Sequence, residues 1–411
     1  MKVVRTVVFW LHLTLGCVAG LVILTMSVTG ILLAFERQIN DKVDAPAVLQ
    51  RQTSTAGQAP IDTVLDRLNS DGQGKPTQLV LHSSPKMPVE ARYGREKTLF
   101  LNPWTAEVIG QPNGSTRQFF GAVERVHRSV GLGMQNAVGR GITGAANLMF
   151  LFMVISGIYL WLPRVWSAAS VRARTLFRGG LTGRAREWNW HNVTGIWVAF
   201  PLFFIVASGV VMSYPWANNL LYTMTGSKPP SQRQGGPGPR EEAQARGDER
   251  GRKTDRAVDA GAAIALRSMD QIVQLAKQQV PEWKSIVVDV PRGEARMLNL
   301  SVDTSIGGQP EKTRQLVMNR ETGRIESVKR FSDNVAGRRL RAYARFVHTG
   351  EEFGVAGEAI AALASLGAVV LVWTGLSMAL RRLLGANRAE RSSKMTSVED
   401  EELTGEAVNL S

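Results

Sequence analysis

Trp10-Leu-His-Leu-Thr-Leu-Gly16, followed by Val28-Thr29-Gly30, returns 179 residues later as Trp190-His191-x3-Gly195 and Ala207-Ser208-Gly209. The offset holds without a gap from His12 to Gly30. A second block behaves likewise: Arg125-Val126-His127, Ser156-Gly157 and Pro163-Arg164 return as Phe346-Val347-His348, Thr374-Gly375 and Arg381-Arg382, over an interval three residues shorter. A repeat of this length sets the architecture, because each half must build the same unit. Four of the five histidines occupy equivalent positions in the two halves.

Working outward, the repeated motifs bracket four apolar blocks, Val7 to Phe35, Ala145 to Leu162, Val193 to Tyr214 and Ala359 to Leu380, none containing Asp, Glu, Lys or Arg. Each approaches or exceeds the roughly 20 residues a helix needs to cross about 30 Å of hydrocarbon. Four buried helices of a soluble protein are the alternative, and the exclusion of charge argues against it. The expected fold is a mainly α membrane protein whose four transmembrane helices form a parallel two-fold repeat. Helix 1 lies in 1–35, a short helix and helix 2 in 121–163, helix 3 in 191–215 and helix 4 in 346–382.

Lys and Arg near span ends favour the cytoplasm. Lys2 and Arg5 precede the first span, the 164–190 loop carries Arg164, Arg172, Arg174, Arg178, Arg184 and Arg186 against the single acid Glu187, and Arg381 and Arg382 open the 383–411 tail. Both termini and the middle loop are therefore expected inside, with 36–120 and 216–345 outside, in the periplasm of a bacterial inner membrane. The net charge of +14 follows largely from this topology and gives no reason to invoke nucleic acid. The first block is too long for the apolar core of a signal peptide, and no A-x-A-like cleavage site follows it. The one cysteine, Cys17, lies inside that block, and C-x-x-C-H is absent, so disulfides, Cys-ligated iron–sulfur clusters and covalent haem are excluded.

Each outer connection reads as a small α+β domain. The first has a helix over Ile61 to Leu68 and strands over Thr77 to His82, Val89 to Tyr93 and Thr98 to Leu101. The second has a helix over Ala257 to Gln279 and strands over Ser285 to Val290, Met297 to Val302 and Arg314 to Met318. A strand and turn beginning at Leu99 (Leu-Phe-Leu-Asn-Pro-Trp-Thr-Ala) returns at Leu316 as Leu-Val-Met-Asn-Arg-Glu-Thr-Gly. Residues 226–256, rich in Gly, Pro, Gln, Arg and Glu, read as a disordered insertion.

A b-type haem buried between helices takes one neutral imidazole on each face. In a parallel repeat, equivalent residues lie at equal depth across the axis, so His12 pairs with His191 near the inner face and His127 with His348 near the outer one. These four are the candidate axial ligands of two haem b groups. Taken singly, each is equally an interfacial histidine bonded to headgroups or carbonyls; a zinc or copper site would need further ligands. Arg128 and Arg345 are candidates for the haem propionates, with solvated interfacial charge as the alternative. Gly16, Gly195, Gly30 and Gly209 suit close approach of a macrocycle or ordinary small-residue packing. Trp10, Trp188 and Trp190 fit an aromatic belt or the electron-donor side. His82 has no counterpart in the second half and no assigned role. Gly139-Arg-Gly-Ile-Thr-Gly144 satisfies G-x-G-x-x-G but follows no strand and reads as a bend, so no flavin or nicotinamide site is visible.

At its His-x-x-x-Gly openings, its Ser/Thr-Gly pairs and its two Asn-x-x-Thr-Gly/Ala turns, the chain resembles the PepSY-associated transmembrane helix family, and within it the iron-regulated inner-membrane proteins that include periplasm-facing ferric-siderophore reductases. The resemblance implies PepSY-like outer domains, ligation of two haems by His12, His191, His127 and His348, and an oxidoreductase that reduces Fe(III)-siderophore in the periplasm. Electrons would come from a cytoplasmic reductase or from quinol. Thr105-Ala106 departs from the Thr-Gly turn, and so does the 226–256 insertion. The competing functions are a haem-free sensory or regulatory anchor and a transporter of iron complexes; the spans lack the buried acids and broken helices that mark transport pathways.

Overall fold

The computed structural model describes residues 2–49, 57–84, 86–94, 97–230 and 266–408. The helices in chain order are α1 (Lys2–Ala34), α2 (Glu36–Leu49), α3 (Ile61–Ser70), α4 (Gly114–Ser129), α5 (Ala137–Trp161), α6 (Ala168–Thr175), α7 (Gly183–Ser213), α8 (Pro215–Met224), α9 (Met269–Gln279), α10 (Ala336–Thr349) and α11 (Gly354–Val408). Residues 231–256 of the expected insertion, and the part of the expected 257–279 helix before 266, lie outside the described residues. The chain divides into two compact units, one of Met1–Leu32, Arg125–Val210 and Ile360–Ser411, the other of Leu33–Glu124 and Val211–Ala359.

In the first unit, α1, α5, α7 and the Glu351–Leu384 stretch are long and apolar enough to cross a membrane. Each span helix begins before its apolar block, because helix propensity extends past the point where charge begins, and α11 runs on through the polar tail to Val408. Ala19, Ile23, Ala146 and Val372 join α1, α5 and α11. Val154, Leu202, Val206 and Ala368 join α5, α7 and α11. Small residues set these crossings, as expected where lipid offers no hydrophobic drive. A Cβ on Gly367 would stand 2.5 Å from Val198, and buried Asn147 donates to the Val206 carbonyl at 3.1 Å against the bare backbone of Gly209.

The second unit is built on β1 (Gln78–His82), β2 (Val89–Tyr93), β3 (Lys97–Leu101), β4 (Val108–Gly110), β5 (Ser285–Asp289), β6 (Met297–Asp303), β7 (Thr313–Asn319) and β8 (Ile325–Arg330). The sequence suggested two separate domains; instead the strands form a single antiparallel sheet ordered β4-β3-β2-β1-β5-β6-β7-β8. β1 and β5 pair from Gln78↔Asp289 to His82↔Ser285. The physical reason is edge satisfaction: each four-stranded half would expose an unpaired strand, and joining them removes two such edges. One core serves both halves, with Ile61, Val64 and Leu68 of α3 and Ile272, Val273 and Ala276 of α9 packed with Leu79, Ile286, Leu300 and Met318.

The two helices also cap each other. The Asp62 carboxylate accepts from the Met269 and Asp270 amides at 3.2 and 3.0 Å, and the Asp270 carboxylate accepts from the Ile61 amide at 3.3 Å. Each anion thus sits at the positive end of its neighbour's helix, a contribution of about 0.3–1 kcal/mol apiece. The repeated turns match as well: Asn102 Oδ1 accepts from the Trp104 and Thr105 amides, and Asn319 Oδ1 from the Glu321 and Thr322 amides. Ala106 adopts φ 57° where Gly323 adopts φ 73°. Alanine therefore keeps the turn, at a strain of about 1 kcal/mol.

Candidate functional site

His12 on α1 and His191 on α7 are neighbours in a T-shaped arrangement, their rings 6.5 Å apart between centroids and inclined by 82°. Each ring is held by a hydroxyl on a different helix. Nδ1 of His12 lies 2.8 Å from Ser156 Oγ on α5, and Nδ1 of His191 lies 3.0 Å from Thr374 Oγ1 on α11. Both hydroxyls donate their own proton to a carbonyl of the preceding turn, Ser156 to Met153 at 3.3 Å and Thr374 to Val370 at 2.7 Å. A hydroxyl whose proton is spent this way accepts, which favours the imidazole proton on Nδ1; His191 also hydrogen-bonds the Leu371 backbone. Such outer partners orient the ligating histidines of metal sites.

The residue after each hydroxyl completes the cradle. A Cβ on Gly157 would touch His12 Cε1 at 3.5 Å, and one on Gly375 would touch His191 Cε1 at 3.4 Å. The Ser/Thr-Gly pair thus lies against each histidine, the hydroxyl beside Nδ1 and the glycine beside the ring edge, where a Cβ would make only ordinary contact. Nothing in the sequence reading assigned Ser156, Thr374, Gly157 or Gly375 this role. The available signal was the recurrence of the pair late in each span.

The spacing of the two rings suits one metal ion between them. A metal–imidazole bond of about 2 Å and a ring-centre-to-nitrogen distance of about 1.2 Å on each side place the centroids about 6.4 Å apart. Among the described residues no three His, Cys, Asp or Glu side chains converge as a metal cage. The pair offers two ligands, the number a haem needs and fewer than the four of a structural zinc.

His127 lies in the last turn of α4 and is seated in the same manner, its Nδ1 2.9 Å from Thr29 Oγ1, which itself donates to the Thr25 carbonyl at 2.7 Å. Gly30 supplies the open side, its Cβ position 3.6 Å from His127 Cε1. His12 and Thr29 are 17 residues apart on α1, about 25 Å at 1.5 Å per residue, most of the thickness of the hydrocarbon layer. His348 lies in the last turn of α10, within the other unit.

Each of these two helices ends in a close glycine contact. The Thr143 hydroxyl donates to the Arg128 carbonyl at 2.9 Å, and a Cβ on Gly139 would stand 2.3 Å from the Ser129 carbonyl oxygen, so α5 starts hard against the end of α4. At the end of α10, Gly350 turns left-handed at φ 80°, and a Cβ on Gly357 would stand 2.2 Å from its carbonyl oxygen. The Gly139-to-Gly144 stretch is therefore the capped start of α5, with Asn136 Oδ1 accepting from the Gly139 amide at 2.9 Å.

The remaining candidates are placed as follows. The Arg345 guanidinium lies 5.5 Å over the Phe346 ring, and the Arg128 carbonyl belongs to the α4–α5 contact. Trp10, Trp188 and Trp190 each carry an arginine over the ring, from Arg382 at 4.7 Å, Arg174 at 6.0 Å and Arg186 at 5.7 Å. His82 belongs to the sheet, its Nε2 3.3 Å from Glu90 Oε1 while Arg92 grips Glu90 Oε2 at 2.6 and 2.9 Å. Burial pushes the Glu90 carboxyl up, but the His82 hydrogen bond and the Arg92 charge outweigh it and hold the group at about 2.

Comparison with curated proteins gives no match. The sequence profile of the PepSY-associated TM region matches residues 9–382, a stretch that covers all or most of each of the four spans, both pairs of motif histidines and the eight-stranded sheet. The chain belongs to the PepSY-associated TM region family.

Proposed function

We propose that this protein is a di-haem b electron-transfer protein of the bacterial inner membrane, with both termini in the cytoplasm, that reduces Fe(III)-siderophore in the periplasm and releases Fe(II). The observation that carries the reading is the seating of three motif histidines through Nδ1 on Ser156, Thr374 and Thr29, with His12 and His191 at the spacing of two imidazoles about one metal. His12 and His191 would hold the inner haem. The sequence repeat assigns the outer haem to His127 and His348, and Arg128 and Arg345 to its propionates. Bound haem supplies one-electron transfer; the protein supplies ligation, burial and spacing. Ser156 and Thr374 favour the proton on Nδ1, the tautomer in which Nε2 ligates. His12 and His191 are each half-buried among the spans, and the donor, a cytoplasmic reductase or quinol, would meet the end carrying Trp10, Trp188 and Trp190.

The test is an absorption spectrum of the detergent-purified protein, oxidised and dithionite-reduced, with a pyridine haemochromogen count. Two b-type haems per chain are expected, falling to about one in His12→Ala or His191→Ala, and reoxidation of the reduced protein by a ferric siderophore. A haem-free protein overturns the reading and leaves a haem-free PepSY sensory or regulatory anchor.

A further inference from the structure

At the end of the span unit that carries His12 and His191, the connection between α5 and α7 folds back on α7 and encloses a cleft of about 520 Å3. Ala173, Leu181 and Ala185 give it an apolar floor, Trp188 one aromatic wall, and Arg178 and Arg184 two positive charges. The cleft is built rather than incidental. Asn189, only 1% exposed, donates to the Ala173 and Leu176 carbonyls at 3.0 and 3.1 Å and accepts from the Arg178 amide at 3.1 Å. Trp161 Nε1 and the Arg174 guanidinium exchange hydrogen bonds with each other's carbonyls at 3.3 and 2.9 Å, and Trp197 Nε1 donates to the Thr175 carbonyl at 3.0 Å. These bonds hold α6 against the spans and fix the walls before any ligand arrives.

Among the described residues the charges have no internal counterpart. Glu187, the one acid in the 164–190 connection, is engaged by Arg381 at 3.1 Å, and among the described residues neither Arg178 nor Arg184 forms an ion pair. Trp188 lines the cleft, and Trp166, Trp190 and Trp197 in the same stretch of chain are exposed too, the pattern of a segment at headgroup depth. The ligand that matches two guanidiniums over an apolar floor at that depth is an anion with a hydrocarbon base.

We infer that this cleft binds the headgroup of an anionic phospholipid, the phosphate on Arg178 and Arg184 and the glycerol and first acyl carbons on Ala173, Leu181 and Ala185. The site involves no histidine and stands or falls independently of haem. Its test is native mass spectrometry of the full-length protein taken from nanodiscs of phosphatidylcholine containing a minor fraction of phosphatidylglycerol. Retained phosphatidylglycerol should exceed its bulk share, and Arg178→Ala/Arg184→Ala should weaken retention about 30-fold, the value of two cationic side chains at an anionic surface. Arg178→Lys/Arg184→Lys should keep most of the enrichment, Arg164→Ala/Arg172→Ala should leave it intact, and haem content should be unchanged in all three. Equal retention of both lipids, or an equal loss in Arg164→Ala/Arg172→Ala, overturns the inference. So does displacement of the lipid by millimolar inorganic phosphate, which would mark a free-phosphate site.

Discussion

Ser156→Ala isolates the hydroxyl that seats His12. The serine oxygen lies 2.8 Å from His12 Nδ1 and donates at 3.3 Å to the Met153 carbonyl, and Ser156 itself is 4% exposed. Alanine removes one oxygen and favours the helix slightly, and the Met153 carbonyl lies within the helix ladder, so the loss falls on the imidazole. An Nδ1–H without an acceptor in a buried setting costs about 1–3 kcal/mol, and water cannot readily replace a hydroxyl so enclosed. The imidazole then keeps its proton on Nε2 or turns from its partner, and either outcome competes with ligation. Converted at about 1.4 kcal/mol per decade, the loss is roughly 5- to 150-fold in haem affinity at this pair, in line with the about 10–100-fold cost of removing outer partners of metal-bound histidines. The assay is a haem titration of the apo-protein followed in the Soret band, with the second site read as an internal reference. The repeat supplies the control, because Thr374 occupies the equivalent position: Ser156→Thr should bind as the native chain does. If Ser156→Ala titrates like the native chain, or Ser156→Thr loses as much as alanine, the hydroxyl does not set the tautomer and the argument fails.

Two further expectations concern stability. Glu90 titrates at about 2 when folded against an ordinary 4.5, so its contribution of about 3 kcal/mol is complete above the ordinary value and lost as pH falls through the folded one. In acid unfolding followed by circular dichroism, Glu90→Gln should be weaker at neutral pH and decline less between pH 4.5 and 2; parallel curves would sink the assignment. Gly139→Ala and Gly357→Ala place a methyl 2.3 and 2.2 Å from a carbonyl oxygen, whereas Gly157→Ala meets its neighbour at an ordinary 3.5 Å. Thermal unfolding in detergent should show losses of about 1–3 kcal/mol for the first two and little change for the third, and equal melting of all three would refute the close contacts.

The spans were legible because exclusion of charge over about 20 residues is a one-dimensional property, read without knowing any neighbour. The inner strands were legible through alternation, as in Ile286 and Val288 of β5, both fully buried. β4 and β8 escaped the reading for opposite reasons. Val108–Gly110 is three residues long, and Ile325–Arg330 is an exposed strand whose only apolar residues are Ile325 and Val328, beside Glu326, Lys329 and Arg330. Charge is what a terminal strand needs to resist further pairing, and the same charge hides it from pattern reading. The β1–β5 pairing joins segments about 200 residues apart, and nothing local distinguishes an edge that will be paired from one left open. Asp62 and Asp270 each lie in the first turn of their own helix, yet each also caps the other's, a cross-pairing that no local pattern shows.

The three-residue difference between the halves shows why the histidine positions survive changes of length. The segment from Ser129 to Gly139 is longer by three residues than that from Gly350 to Gly357, and the shortening falls within this connection. Both versions end in the same backbone contact, a glycine at the start of the span closed against a carbonyl two residues past the histidine. The fixed quantities are therefore the distance from histidine to helix end and the register of the span's first turn, while the chain between them varies. An insertion in that connection should leave His127 in place as long as Gly139 still meets Ser129. A side chain at Gly139 should move it without touching the ring. The helix ends that carry His127 and His348 are thus held by a backbone contact several residues away, a dependence that no residue-by-residue reading of ligand chemistry would show.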